Sequence, residues 1–146
     1  MNDWQRGFLQ KLETAKKQWL HRFEHFATEH LEPVFCEFDE FATGSGFGVS
    51  TPDCETGTRL YKFALTENGY VMITFRTRGL EEAEACCESF VPGVGALEPT
   101  TRRINLCDAS DVWAKQQFQN ALDRFVTAFA EAGVGAEESA EALVRG

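Results

Sequence analysis

The segment from Arg59 to Arg78, RLYKFALTENGYVMITFRTR, alternates apolar and polar residues on both sides of an Asn-Gly pair. This alternation predicts two half-buried strands joined in a hairpin. A two-residue Asn68-Gly69 turn would mix polar and apolar side chains on both faces. A three-residue loop, with Gly69 left-handed in a bulge, collects the apolar side chains on one face. The expected pairs are then Leu65 with Val71, Phe63 with Ile73, and Tyr61 with Phe75.

An apolar sheet face needs a cover, and both ends of the chain have helical patterns that can supply it. From Trp4 to Leu31, apolar residues recur at the three-and-four spacing of one helical stripe. The residues of this stripe are Phe8, Leu12, Ala15, Trp19, Phe23 and Phe26. Pro33 is expected to end the helix.

A second long helix is predicted at the carboxy-terminal end, with Asp108 as its cap and Asp111 near its positive end. Its buried side is expected to contain Val112, Leu122, Phe125, Val126 and Phe129. Gly133 and Gly135 are expected to end it.

The segments between these elements have weaker patterns. VFCEFDEFA (34–42) alternates well enough for a strand, and 47–50 is a possible short strand. LEEAEACCESFV (80–91) fits a short helix, because Ala and Glu favour helices, with an irregular strand as the alternative. TRRINLC (101–107) reads as a last strand.

The predicted fold class is α+β: an antiparallel sheet of about four or five strands, with long N- and C-terminal helices packed on one face. The 13 phenylalanines among 146 residues suit such a broad apolar interface. The expected organisation is a single domain over residues 1–133 and a polar C-terminal tail over residues 134–146.

Charge and cysteine content narrow the function classes. A net charge of −9 disfavours nucleic acid and anionic lipid as partners. The sequence lacks a run of about 18 apolar residues, so no membrane-spanning segment is expected. Five irregularly spaced cysteines do not form a disulfide framework, which favours a cytoplasmic location.

The stretch HRFEH, residues 21–25, matches the H-x-x-E-H pattern of a zinc-peptidase helix. Both imidazoles are expected on the side of the first helix opposite its apolar stripe, where no cleft can enclose a substrate. The match is therefore interpreted as a solvated helix face, and neither a metal nor a cofactor is predicted. His30 falls on the stripe and is expected to cap backbone carbonyls at the helix end.

The cysteines give a weak hypothesis of a thiol or metal site at Cys54, Cys86 and Cys87. Adjacent cysteines such as Cys86 and Cys87 direct their side chains apart, which argues against one shared centre. Cys54 lies in a polar loop and is expected to be exposed and oxidisable. Cys36 and Cys107 are expected to be small buried residues.

Two tryptophans are candidate interface residues. Trp113 is expected on the exposed side of the last helix, about 160° from its stripe, and Trp4 lies at the rim of the first stripe. Exposed tryptophans often mark contact surfaces, although packing on a neighbouring loop of the same chain is the simpler alternative for Trp113.

These observations predict a small acidic interaction module without catalytic activity, which binds a protein partner or forms a homodimer. The order of its elements resembles that of small dimeric secretion chaperones and other α/β interaction domains, without a shared motif. The alternative is a protein or enzyme that binds an anionic small molecule in a pocket between sheet and helices. Its candidate ligand-binding residues are Arg76, Arg78, Arg102 and Arg103.

Overall fold

The computed structural model describes the backbone of residues 1–145 and the side chains of residues 1–133. Within this part of the chain, helices at both ends flank an antiparallel sheet of six strands, so the fold is α+β as predicted. The helical elements are α1 (Asp3–Phe26), a π-helical segment (Ala27–Leu31), α2 (Glu32–Gly44) and α3 (Asp111–Arg145). The strands are β1 (Gly48–Ser50), β2 (Thr58–Thr66), β3 (Gly69–Arg78), β4 (Glu82–Val91), β5 (Gly95–Ala96) and β6 (Thr100–Asn105).

The N-terminal helix is longer and less regular than predicted. The side chain of Asn2 accepts from the Gln5 backbone, and the Gln5 side chain accepts from the Asn2 N–H, a reciprocal cap. Pro33 does not end the helix: it lies in the first turn of α2, directly after the π-helical segment. The intervening π-helical segment carries the chain from α1 into α2.

The segment 34–42 is helical, so the strand predicted there is wrong. Its apolar residues Val34, Phe35, Phe38 and Ala42 also fit helical spacing, and Val34, Phe35 and Ala42 are buried. The pattern was compatible with both periods over this short length. Packing in the core determines which of the two forms.

The hairpin has the predicted apolar face but not the predicted register. The structure pairs Phe63 with Val71 and Tyr61 with Ile73, and the ladder is irregular between Ala64 and Thr66. The partner of each β2 residue is therefore two residues earlier in β3 than predicted. A shift by two residues leaves the same side chains on the apolar face. Gly69 is not left-handed, because the positive-φ glycines are at other positions. A Cβ on Gly69 would approach the Phe129 ring and the Thr66 hydroxyl to 2.8 Å, which explains the glycine.

The segment 80–91 contains β4, so the predicted short helix is wrong and the alternative, a strand, is confirmed. β4 pairs with β3 from Glu82 to Phe90, and its other edge pairs with β5 and β6. Pairing on both edges outweighs the helix propensity of Ala and Glu. The predicted strand at 101–107 is also confirmed in outline, as β6.

The last helix starts three residues later than its predicted cap. The hydroxyl of Ser110 accepts from the Trp113 N–H at 3.5 Å, so Ser110 rather than Asp108 caps α3. Val112 and Val126 were predicted to be buried, but they are 66% and 45% exposed. The backbone is helical to Arg145, so the helix does not end at Gly133 or Gly135. The side chains of the predicted tail, 134–146, lie outside the described residues.

The core is aromatic, and Phe118 of α3 is at its centre. This ring is fully buried and lies 5.3 to 6.1 Å, between centroids, from five other rings. These rings belong to Phe35, Phe38, Tyr61, Phe63 and Phe75. The helices and β2–β3 are therefore joined through one continuous cluster of aromatic side chains.

The first two-thirds of α1 lie outside this core. Phe23 and Phe26, at the end of α1, are its two buried residues, whereas Trp4 and Phe8 remain 72% and 50% exposed. The predicted inward-facing stripe is therefore correct only for the last third of the helix. Among the described residues, no helix is both long and apolar enough to cross a membrane.

Candidate functional site

A buried carboxylate surrounded by arginines is the most polar feature of the sheet. Glu84 on β4 is paired in register with Arg76 on β3 and with Arg103 on β6. Arg76 donates to Glu84 Oε1 from Nε at 3.0 Å and from Nη2 at 2.7 Å. Arg103 Nε donates to Oε2 at 3.2 Å, and Arg78 Nε lies 3.7 Å from the same oxygen. Glu84 is only 2% exposed, because these side chains cover it.

These contacts favour the ionised form of Glu84. The hydrogen bonds from Arg76 are the largest influence, and with the charges of Arg76 and Arg78 they outweigh the effect of burial. The pKa of Glu84 is therefore lowered from its ordinary value. This cluster has the arrangement of a structural ion-pair network, in which the carboxylate already occupies the arginine donors.

The structure divides the four candidate arginines between two places. Arg76, Arg78 and Arg103 surround Glu84, whereas Arg102 lies elsewhere, because adjacent residues of a strand face opposite ways. Arg102 lines a cleft of about 340 Å³ together with Arg124 of α3. We call this hollow the arginine cleft.

The arginine cleft has an apolar floor and polar walls. Its lining residues are Ile73, Ala85, Cys87, Thr100, Arg102, Gln117, Asn120, Ala121 and Arg124. Burial raises the pKa of the Cys87 thiol, although the nearby Ser89 hydroxyl and the charge of Arg124 act against it. The alternative hypothesis predicted a pocket between sheet and helix but did not include the residues of α3. Arg102 and Arg103 are adjacent in a predicted strand, so their side chains point to opposite faces of the sheet. This alternation was the one signal in the sequence that could have assigned the two arginines to different sites.

The HRFEH stretch lies near the C-terminal end of α1. His21 and His25 are exposed, as predicted. Glu24 forms an ion pair with Arg59, and its Oε1 accepts from the Gly57 N–H at 2.7 Å. Burial alone would raise the pKa of Glu24, but the bonds from Arg59 and Gly57 lower it overall. Glu24 therefore anchors the end of α1 to the start of β2.

Three histidines line a shallow groove beside α1. His21, His25 and His30 share it with Cys107, and its volume is about 630 Å³. His30 does not cap carbonyls as predicted, since its Nδ1 contacts the carboxylate of Asp111 in the first turn of α3. Within the described residues, no group of three or more His, Cys, Asp or Glu side chains is placed to hold a metal ion.

The cysteines are dispersed, and all five are free thiols. Cys86 is half-buried and Cys87 is buried, and the two face opposite sides of β4. Cys54 is exposed, as predicted, whereas Cys36 and Cys107 are exposed rather than buried. Cys36 was misplaced because its segment was interpreted as a strand.

Cys36 and Cys54 line another cleft, of about 470 Å³, between α2, the loop 51–57 and β2. Tyr61 also lines it and is 3% exposed. The Tyr61 hydroxyl is buried without a hydrogen-bond partner among the described residues, and burial raises its pKa.

The two candidate interface tryptophans have opposite environments. Trp113 is 9% exposed and packs 6.1 Å from Phe26 and 5.9 Å from Phe75, between ring centroids. The expectation that it lies on an exposed helix side is wrong, because the end of α1 covers that side of α3. Trp4 is exposed and stacks on Phe8 at 5.4 Å.

Two exposed surfaces of opposite charge remain. The α1 stripe consists of Trp4, Phe8, Leu9 and Leu12, bordered by Lys11 and Lys16. The acidic ridge of α2 consists of Glu37, Glu40 and Phe41, which share one side of the helix. Phe41 is 71% exposed beside these carboxylates.

Comparison of the chain with profiles of known protein families, with curated proteins and with solved structures finds no match.

Proposed function

We propose that the protein is a self-associating interaction module, in which the α1 stripe of one copy docks on the acidic ridge of a second copy. The observation that carries the proposal is the exposure of the α1 stripe. A large apolar stripe on an amphipathic helix ordinarily faces a core. Here Trp4 and Phe8 face solvent in the single copy, so a partner surface would remove them from water.

Charge favours a second copy as the occupant. α1 contains five of the 14 basic side chains of the protein and three of its 23 acidic ones. α2 contains four acidic side chains, Glu32, Glu37, Asp39 and Glu40, and no basic one. A basic helix with exposed rings therefore complements an acidic helix with an exposed ring, and both belong to the same chain.

The pairing is compatible with twofold symmetry. In such a dimer, α1 of each copy contacts α2 of the other, so the same contact forms twice and the assembly closes. Lys115 of α3 lies 3.6 Å from Glu37, so α3 borders the ridge on one side. The proposal uses Trp4 but not Trp113, which is buried.

We infer further that the helices cover one face of the sheet. Rings of α2 and α3 contact Tyr61, Phe63 and Phe75, whose positions alternate along β2 and β3 with less buried residues. The other face has the Glu84 cluster and a stacked pair, Tyr70 and Phe90. This arrangement leaves the first part of α1 and the outer side of α2 free to serve as the contact surfaces.

Charge exchange tests the dimer. The variant Lys11→Glu/Lys16→Glu and the variant Glu37→Lys/Glu40→Lys each place like charges across both contacts. We expect each variant alone to dissociate about tenfold or more readily than the wild type. An equimolar mixture should restore the dimer, because opposite charges then meet in both contacts. Sedimentation equilibrium measures the masses.

Lys17→Glu is the matched control, since Lys17 lies about 100° from Lys16 around α1 and outside the stripe. It should leave the dimer intact. A wild type that stays monomeric at every concentration would contradict the proposal. Binding of the monomer to vesicles of anionic lipid, lost in Lys11→Glu/Lys16→Glu, would instead assign the α1 stripe to a membrane surface.

A further inference from the structure

We propose that the arginine cleft binds a small organic carboxylate with an apolar body. The inference concerns a surface that the proposed dimer does not use. It rests on the floor and walls of the cleft and on the environment of its two arginines.

The first step concerns charge. Arg102 and Arg124 form no ion pair with any carboxylate among the side chains of residues 1–133, whereas Arg59, Arg76, Arg78 and Arg103 all do. Among the side chains that the structure describes, none that lines the cleft is acidic. In a protein with a net charge of −9, two guanidinium groups without a carboxylate partner in one hollow make a local anion site.

The second step concerns the geometry of donors. A guanidinium group presents paired N–H donors that match the two oxygens of a carboxylate. The hydroxyl of Thr100 and the amides of Gln117 and Asn120 line the same hollow and can bind further polar atoms. These groups come from β6 and α3, whose backbones are held in place by strand pairing and by the core.

The third step concerns the floor. Ile73, Ala85 and Ala121 are 1%, 4% and 3% exposed, and their side chains close the bottom of the cleft. Contact between this apolar floor and an apolar ligand body would contribute to the binding free energy, and inorganic phosphate has no such body. The volume of about 340 Å³ is at the small end of ligand pockets. The ligand class is therefore a compact carboxylate with a ring or a short branched chain.

Titration of the full chain with benzoate, followed by two-dimensional amide NMR, tests the site. We expect saturable shifts centred on Thr100, Arg102 and Arg124. Acetate and inorganic phosphate should bind about tenfold more weakly, because neither fills the floor. Benzyl alcohol, a neutral analogue of similar shape, should produce no saturable shifts.

Arginine variants identify the donors. Arg102→Gln and Arg124→Gln should each weaken benzoate binding about tenfold or more, as expected for a charge-assisted hydrogen bond. Arg102→Lys keeps the positive charge but loses the paired N–H donors of the guanidinium group, so it should have an intermediate effect. Arg6→Gln, on the exposed end of α1, is the matched control and should bind benzoate like the wild type.

Three results would overturn the proposal: no saturable shifts with benzoate, shifts centred on another surface, or an equal loss of binding in Arg6→Gln. Tighter binding of phosphate than of benzoate would overturn the ligand class. Each NMR spectrum also reports whether the variant is folded. The neutral analogue tests the charge requirement in the wild type, independently of any substitution.

Discussion

Glu84 shows how a strand register can bury a charge on a sheet surface. Its neighbours across the two ladders, Arg76 and Arg103, are fixed by backbone pairing, and their side chains therefore meet the carboxylate from both sides. A buried carboxylate without such partners would be strongly destabilising. The cluster therefore joins three strands, β3, β4 and β6, through one side chain.

Replacement of the Glu84 carboxylate should destabilise the folded protein. We expect Glu84→Gln to lower the free energy of unfolding by about 2 kcal/mol, since the charged hydrogen bonds from Arg76 and Arg103 weaken. Glu88→Gln is the matched control on the same face of β4, and it should change the stability by less than about 0.5 kcal/mol. Urea unfolding measures both variants, and equal values would contradict the structural role of Glu84.

The lowered pKa of Glu84 adds a dependence on pH. A carboxyl group whose pKa is lower in the folded state stabilises that state above its ordinary pKa, about 4.3, and this contribution disappears as pH falls through the folded value. The wild type should therefore lose more stability than Glu84→Gln on acidification below about pH 4.3. Glu24, also lowered, contributes equally in both proteins. Parallel stability curves would contradict this expectation.

At the scale of elements, α3 connects the helices to the sheet through Phe118. We expect Phe118→Ala to cost about 3 to 5 kcal/mol, because a fully buried ring with five aromatic neighbours leaves a cavity when it is removed. Val126→Ala, on the same helix but 45% exposed, should cost less than about 1 kcal/mol. Thermal or urea unfolding compares the two. A large loss for Val126→Ala would favour the stripe predicted from the sequence over the observed one.

The sequence predicts elements best where one period is long and uninterrupted. The alternation in 59–78 correctly gave the hairpin and its apolar face, but it could not distinguish registers two residues apart, which bury the same side chains. In 34–42, the apolar spacing fits both helix and strand. In 80–91, the helix propensity of Ala and Glu is outweighed by neighbours distant in sequence. Contacts with residues distant in sequence determine the structure of these segments, and such contacts cannot be predicted from one segment alone.

The predicted environment of each candidate site residue depended on the predicted positions of these helices and strands. Trp113 was expected in solvent because the stripe of α3 was considered alone, whereas Phe26 from α1 covers it. The arginine cleft required β6 to lie beside α3, and no local pattern indicates this neighbour. The exposure of Trp4 was closer to prediction, since a residue at the rim of a stripe depends less on the rest of the fold.

At the scale of the whole molecule, α1 consists of a part that joins the core and a part that does not. Residues 1–15 contain no buried side chain, so their deletion should change the free energy of unfolding by less than about 1 kcal/mol. The same deletion should abolish self-association, because it removes Trp4, Phe8, Leu9 and Leu12. Urea unfolding and sedimentation measure the two effects separately. A deletion that unfolds the protein would show that the segment stabilises the single copy.

The unequal distribution of charge acts before any contact forms. α1 is positive overall and the rest of the chain is strongly negative, so the protein is an electric dipole as well as a net anion. Two copies that approach in solution repel through their net charge. The attraction between the positive α1 of one copy and the negative part of the other rotates the two copies relative to each other. Orientation is then selected within about one Debye length, roughly 10 Å at 0.1 M salt, and added salt weakens both the repulsion and the orienting effect.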